Sequence, residues 1–288
     1  MLASLSCKGC QLDESEAIQA IERLGGRIER DDTLPGSPVR RVDLMGSSDF
    51  GDRDVHLLTM LKSLKQLRLS GHNISDAGFL ELGSLTGLTA LEIFAIREKV
   101  TEVGLRQLWN LRSLVQLWLC AAHVMDATLD GIGRLQNLEE LRLKSTRITG
   151  AGLGELKGLT HLAALDLENT KITDAGLAEL KPLTNLAALE LGWTGITDAG
   201  LSDLAELRKL ARLDLARTQV GDLGVAELQR LPNLSELCLH GTRITDAALS
   251  HLVNFSNLSR LTTYSTQVTG SALKDLRRLR PEIRLNWE

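Results

Sequence analysis

Aromatic residues are scarce in this chain: four Trp, four Phe and one Tyr make up 3% of 288 residues. Its core must therefore be aliphatic, and each aromatic side chain stands out. A basic excess is also missing. With 33 Lys and Arg against 37 Asp and Glu, the formal net charge is -4. That balance argues against a nucleic-acid partner, which calls for a basic face to meet its phosphates. No stretch approaches the run of about 18 apolar residues that a membrane span needs. Met1 to Cys10 have neither the basic start nor the apolar centre of a secretory signal. The expected location is cytoplasmic, with export by another route left open.

Cysteines are few, at Cys7, Cys10, Cys120 and Cys238. Cys7-Lys8-Gly9-Cys10 has the C-x-x-C spacing of zinc and redox sites, but no second pair or nearby histidine completes four ligands. The pair is read as part of a reduced tail covering residues 1 to 13. Cys120 and Cys238 lie about five repeats apart, too far for a disulfide. Walker, H-E-x-x-H and G-x-S-x-G motifs are lacking as well. The expected complement is no metal, no cofactor and no enzymatic activity.

What the chain has is a phrase. L-x-x-L-x-L-x-x-T-x-I-T-D-A-G-L returns every 24 residues, with Leu141, Leu165, Leu189, Leu213, Leu237 and Leu261 in one slot. A fixed period of this length marks a solenoid, since a single unit cannot bury its apolar face alone. Alternation within each phrase, as in Leu165 and Leu167, predicts a strand with leucines inward. Aspartate in Thr173-Asp174-Ala175-Gly176-Leu177 predicts a helix N-cap, and Leu177, Leu180 and Leu183 predict a short helix facing the core. Thr146, Thr170, Thr194, Thr218, Thr242 and Thr266 share a slot where a hydroxyl can satisfy backbone groups leaving the ladder. Upstream, Asp13 and Glu16 have capping-box spacing before the helical face of Ala17, Ile18, Ile21 and Leu24. Arg27 to Arg30 is read as a short strand. Residues 1–38 then form a tail and cap, and residues 39–288 the repeats. Pro281 to Trp287 is a closing half-repeat, with Trp287 over the end of the core.

These residues resemble the leucine-rich repeat family. Leu162-x-x-Leu165-x-Leu167-x-x-Thr170-x-Ile172 matches its strand signature, with threonine where the family often has asparagine or cysteine. The Ile172 to Leu177 continuation is similar to the ribonuclease-inhibitor-like, F-box-associated subtype with cysteine and to many bacterial repeat proteins. The resemblance implies a right-handed α/β horseshoe of about ten repeats, with a parallel concave sheet and short convex helices. It also implies a scaffold that binds a protein or peptide. No F-box-like segment precedes the repeats, which argues against a ubiquitin-ligase adaptor.

Stacked strands place side chains from successive repeats in columns about 4.8 Å apart. The central concave column reads Asp43, Arg68, Glu92, Trp118, Arg142, Asp166, Glu190, Asp214, Cys238, Thr262. Phe50, Phe79 and Phe255 replace core aliphatics. Phe94, Trp118, Trp193 and Tyr264 instead fall on or beside the concave face, with Phe94 and Trp118 in diagonal reach. Two extra residues within Ala95 to Lys99 make the turn after Phe94 bulge. Asp166, Glu190 and Asp214, with Glu168 beside them, form an acidic strip for a basic segment. Arg142, Lys144, Arg212 and Arg217 are expected to flank and counter it. Asp214, Cys238 and His240 share one face as a candidate thiol site. Side chains two apart on a strand stand nearly 7 Å apart, too far for direct proton transfer. The reading is a non-catalytic interaction scaffold of undefined oligomeric state. Alternatives are an exported effector engaging host proteins, a passive structural module, and a thiol enzyme at Cys238 and His240.

Overall fold

The computed structural model describes residues 13–95, 100–120 and 123–287. Cys7 and Cys10, and most of the extra turn after Ala95, lie outside them. Twelve strands form one open sheet in sequence order. They are β1 (Arg27–Arg30), β2 (Val39–Leu44), β3 (Gln66–Ser70), β4 (Ala90–Phe94), β5 (Gln116–Cys120) and β6 (Glu140–Arg142), then β7 (Ala164–Asp166), β8 (Ala188–Glu190), β9 (Arg212–Asp214), β10 (Glu236–Cys238), β11 (Arg260–Thr262) and β12 (Arg284–Asn286). Pairing is antiparallel only between β1 and β2. The chain is an α/β horseshoe, with the sheet on its concave side and single helical turns on the other.

Register follows from the leucines. Leu141, Leu165, Leu189, Leu213, Leu237 and Leu261 lie directly across from one another. All are buried, and they join one continuous core running from Ala17 to Ile283. A fully buried leucine contributes about 1.5–3 kcal/mol over an exposed one. Repetition of these few positions therefore dominates the stability. Phe50, Phe79 and Phe255 take core places as the sequence indicates.

The ends are closed differently. Helix Glu14–Arg23 has the capping box between Asp13 and Glu16 and buries Ala17, Ile18 and Ile21. At the other end, helix Gly270–Leu279 buries Leu273 and Leu276. Leu285 in β12 continues the leucine column from Leu261. Trp287 lies against Gly270 at the start of that last helix.

Each threonine of the ladder donates its hydroxyl to the carbonyl three residues back, as in Thr146 to Leu143 (2.6 Å) and Thr170 to Leu167 (2.7 Å). The residue just before it turns into the left-handed region: Ser145, Asn169, Trp193, Arg217 and Ser265 have φ between 55° and 59°. That reversal takes the chain off the sheet, and the hydroxyl satisfies the carbonyl left behind.

The expected aspartate cap is corrected. The threonine ahead of it is the N-cap: Thr197 accepts the amide of Ala199 at 3.2 Å. Aspartate holds the first helical position and reaches into the next repeat. Oδ1 of Asp174 accepts the Thr197 amide at 2.8 Å, and Oδ2 accepts the Thr197 hydroxyl at 2.7 Å. Asp52, Asp76, Asp126, Asp222 and Asp246 do the same to Ser75, Thr101, Thr149, Thr245 and Thr269. Gly150 takes the aspartate slot in one repeat, and Thr173 has no such partner among the described residues.

Candidate protein-binding surface

The central column is as the spacing predicts. Trp118 lies across from Arg142, Arg142 from Asp166, Asp166 from Glu190, and Glu190 from Asp214. Its first half neutralises itself. Arg68 reaches Asp43 at 3.4 Å and Glu92 at 3.1 Å. Arg142 binds Glu140 at 2.6 Å and lies over the Trp118 ring, 3.9 Å from its centre. Trp118 donates its ring N–H to the same Glu140 at 3.1 Å. Its other side meets Phe94 edge to face, with ring centres 6.3 Å apart.

This alters the picture of an exposed aromatic pair. Phe94 and Trp118 are adjacent, but both are half-buried. Trp118 is the centre of an internal Phe–Trp–Arg–Glu cluster. Glu140 is its hidden member; it stands on the outward-facing alternation just before Leu141, a signal present in the sequence. Trp193 and Tyr264, by contrast, are 56% and 40% exposed. Trp109, not singled out by its spacing, is buried and donates to the Thr128 carbonyl at 3.1 Å.

The second half of the column is different. Asp166, Glu190 and Asp214 make no ion pair among the described residues. Lys144 is taken by Glu168 at 2.5 Å. Arg142 is committed to Glu140, though its charge still favours ionised Asp166. Arg212 acts in the same way on Glu190. Arg217 does not counter the strip, a correction to the expectation. It lies over Trp193, 5.3 Å from the ring centre, and donates Nε–H to His240 at 3.1 Å. Asp166 and Asp214 each accept the amide two residues on, at 3.0 and 2.6 Å.

Those two backbone bonds leave Glu190 the most stressed of the three. Burial, then the charges of Asp214 and Asp166, push its carboxyl up to about 7. Burial also raises Asp166. Between these groups runs a shallow groove of about 410 Å³, bordered by Glu140, Arg142, Lys144, Asp166, Glu168 and Glu190. A smaller hollow of about 130 Å³ adjoins it beyond Glu190, toward Asp214 and Cys238. Among the described residues, no group of three or more His, Cys, Asp and Glu is placed to hold a metal ion.

The thiol reading runs against the chemistry. Burial, with an added push from Asp214, drives the Cys238 thiol up to about 12. A nucleophilic cysteine needs the opposite shift. Both nitrogens of His240 are occupied elsewhere, Nε2 by Arg217 and Nδ1 by the Tyr264 carbonyl at 2.9 Å. Since arginine only donates and a carbonyl only accepts, the ring is the neutral Nδ1–H tautomer.

A family model described as Leucine Rich repeat matches residues 61–83, 158–181 and 183–205. With the uninterrupted register of the sheet, this settles the unit. The fold is that of a leucine-rich repeat solenoid. No curated protein matches it. Internalin C2 from Listeria monocytogenes is similar in structure, with 28% identity and a TM-score of 0.50 over 78% of this chain and 80% of its own. The leucine-rich repeat ectodomain of the plant receptor kinase GASSHO1/SCHENGEN3 from Arabidopsis thaliana, solved with CASPARIAN STRIP INTEGRITY FACTOR 2, has 18% identity and a TM-score of 0.57 over 90% of this chain. This chain spans 31% of that structure's length, and the likeness is one of fold. No helix among the described residues is long and apolar enough to cross a membrane.

Proposed function

We propose that this leucine-rich repeat solenoid is a non-catalytic scaffold that holds a protein or peptide partner on its concave face. A basic segment of that partner lies along Asp166, Glu190 and Asp214. The observation carrying this reading is the break in the column's own pairing. From Asp43 to Arg142 each charge is answered within the chain; the three carboxylates that follow have no ion-pair partner among the described residues. Like charges on adjacent strands destabilise a sheet, so folding alone gives no reason to place them together. A partner's lysines or arginines would relieve the repulsion and gain both specificity and association rate.

Lys144 and Glu168 border the strip, and the Phe94–Trp118–Arg142 cluster forms its stiff end. In this reading residues 1–38 serve as tail and cap, and 39–288 carry recognition. The free thiols of Cys120 and Cys238 suit a reducing, cytoplasmic setting. The I-T-D-A-G-L phrase supports the ribonuclease-inhibitor-like subtype, while the threonine ladder stands where that family often has asparagine or cysteine. Crosslinking mass spectrometry in native lysate tests the proposal, comparing the wild-type chain with an Asp166→Arg, Asp214→Arg double variant. A saturable partner lost in the variant is the expected outcome. Equal capture by both chains, or no saturable partner, rejects the concave strip.

A further inference from the structure

A second cluster lies on the rim beside the strip. Trp193 occupies the slot before the ladder threonine, where Ser145, Asn169 and Ser265 also sit. Its φ is 58°, a conformation that asparagine and glycine tolerate and a bulky side chain does not favour. The ring is nonetheless 56% exposed. Every repeat from Ser145 to Ser265 turns through this region of φ, so the backbone is not special to Trp193; what is unusual is a large exposed ring where Ser145, Asn169 and Ser265 are small and polar, and such a ring suits a contact surface.

Arg217 is the next residue of the same row. Its guanidinium is fixed from three sides. Trp193 lies under it, and His240 accepts its Nε–H at 3.1 Å. Gly241 leaves the room: a Cβ there would stand 2.7 Å from Cδ of Arg217. His240 in turn stacks on Tyr264, with ring centres 3.9 Å apart, and donates Nδ1–H to the Tyr264 carbonyl. The row Trp193, Arg217, His240, Tyr264 thus spans four consecutive repeats. The two terminal nitrogens of Arg217 have no hydrogen-bond or ion-pair partner among the described residues. Asp214, the nearest acid in its own repeat, is turned to the Ala216 amide instead.

An exposed guanidinium held through Nε, with both terminal nitrogens unpaired among the described residues, matches one chemistry above others, a planar carboxylate taken by two parallel N–H donors. Trp, Arg and Tyr are also the residues that concentrate binding energy at protein interfaces. We propose that this rim receives an aspartate or glutamate side chain of the partner on Arg217, with a flanking apolar residue against Trp193 and Tyr264. The inference rests on the concave-face reading and deepens it. Asp214 and Arg217 are three residues apart, so strip and rim are separated by about 10 Å at most. The recognised segment therefore carries a basic and an acidic side chain within a few residues of each other.

Panning short acetylated and amidated peptides on the full chain tests this, because such peptides offer only side-chain carboxylates. The wild-type chain is expected to enrich Lys or Arg at one position and Asp or Glu at another nearby. Arg217→Gln keeps the basic preference and loses about tenfold of the acidic one, the loss of one charge-assisted pair. Trp193→Ser, which installs the residue found at Ser145 and Ser265, removes the apolar preference beside the acid and leaves the melting temperature unchanged or raised. A wild-type chain with no acidic preference, or an acidic preference that survives Arg217→Gln, overturns the rim site while leaving the strip standing. Absence of any charged preference rejects both.

Discussion

The carboxylate of Asp222 grips Thr245 in the following repeat twice, through its amide at 2.8 Å and its hydroxyl at 2.7 Å. A buried hydrogen bond to a charged group is worth about 1.5–3 kcal/mol, and this contact is partly buried on both sides. Asp222→Ala is expected to cost about 2 kcal/mol. A double-mutant cycle with Thr245→Val, followed by urea denaturation, should return a coupling of about 1 kcal/mol. Additive losses would mean that each residue acts only inside its own repeat.

That contact also marks the limit of what the sequence makes legible. The period, 24 residues from Leu117 onward and 24 to 26 before it, places the parallel strands, and the alternation assigns their inward leucines, because both rules are local. The aspartate is misassigned by the same local logic. Acidic residues suit the first turn of a helix as well as its cap, and only stacking shows that Asp174 answers to Thr197. The pairing of Trp118 with Glu140, and of Arg217 with His240, also crosses repeats. One more ladder crosses repeats in the same way: Asn137, Asn185, Asn233 and Asn257 each donate to a carbonyl of the repeat before.

Gly200 stands in the shadow of that same carboxylate. A Cβ at this position would meet Oδ1 of Asp174 at 2.6 Å and its Cα at 2.9 Å. The second contact is backbone, so rotating the side chain does not relieve it. Gly200→Ala is expected to destabilise by about 1–3 kcal/mol, even though alanine is the better helix former by roughly 1 kcal/mol. A melting temperature at or above wild type would show that the repeats separate more easily than their packing indicates.

Trp118 is held on every side, by Phe94, Arg142 and Glu140. Trp118→Ala removes a cation–π contact, a ring contact and the donor to a partly buried carboxylate. The expected loss is about 2–3 kcal/mol. Asp166→Arg, one strand beyond Arg142, removes an unpaired acid and should leave stability within about 1 kcal/mol of wild type. Binding measurements on the two variants are therefore comparable only after their unfolding curves are matched.

Cys238 is raised to about 12 and Cys120 to about 11, burial being the largest cause for each. The thiolate attacks the carbon of iodoacetamide and displaces iodide, so both residues should alkylate at least about tenfold more slowly in the folded chain than in urea at the same pH. Mass spectrometry of the two tryptic peptides reads this directly. Rapid labelling of folded Cys238 near neutral pH would revive a nucleophile there.

Glu190 gives the strip a pH dependence whose sign is fixed. Its folded value of about 7 lies above the ordinary 4.5, so between those values the folded chain holds a proton that the unfolded chain has released. The contribution of this group to stability is fully present below about pH 4.5 and is lost as pH rises through 7. Glu190→Gln should therefore raise stability most at about pH 8, by about 1 kcal/mol, the size of a like-charge cross-strand pair, read as the largest rise in melting temperature at that pH. At about pH 5 the variant and the wild type should nearly coincide, with Asp166 responsible for what slope remains. Binding of a basic segment runs the other way. A lysine or arginine over the strip favours the ionised carboxylate, so affinity should climb as pH rises through 7 and flatten in Glu190→Gln. Stability and affinity moving in the same direction with pH would mean that Glu190 does not face the partner.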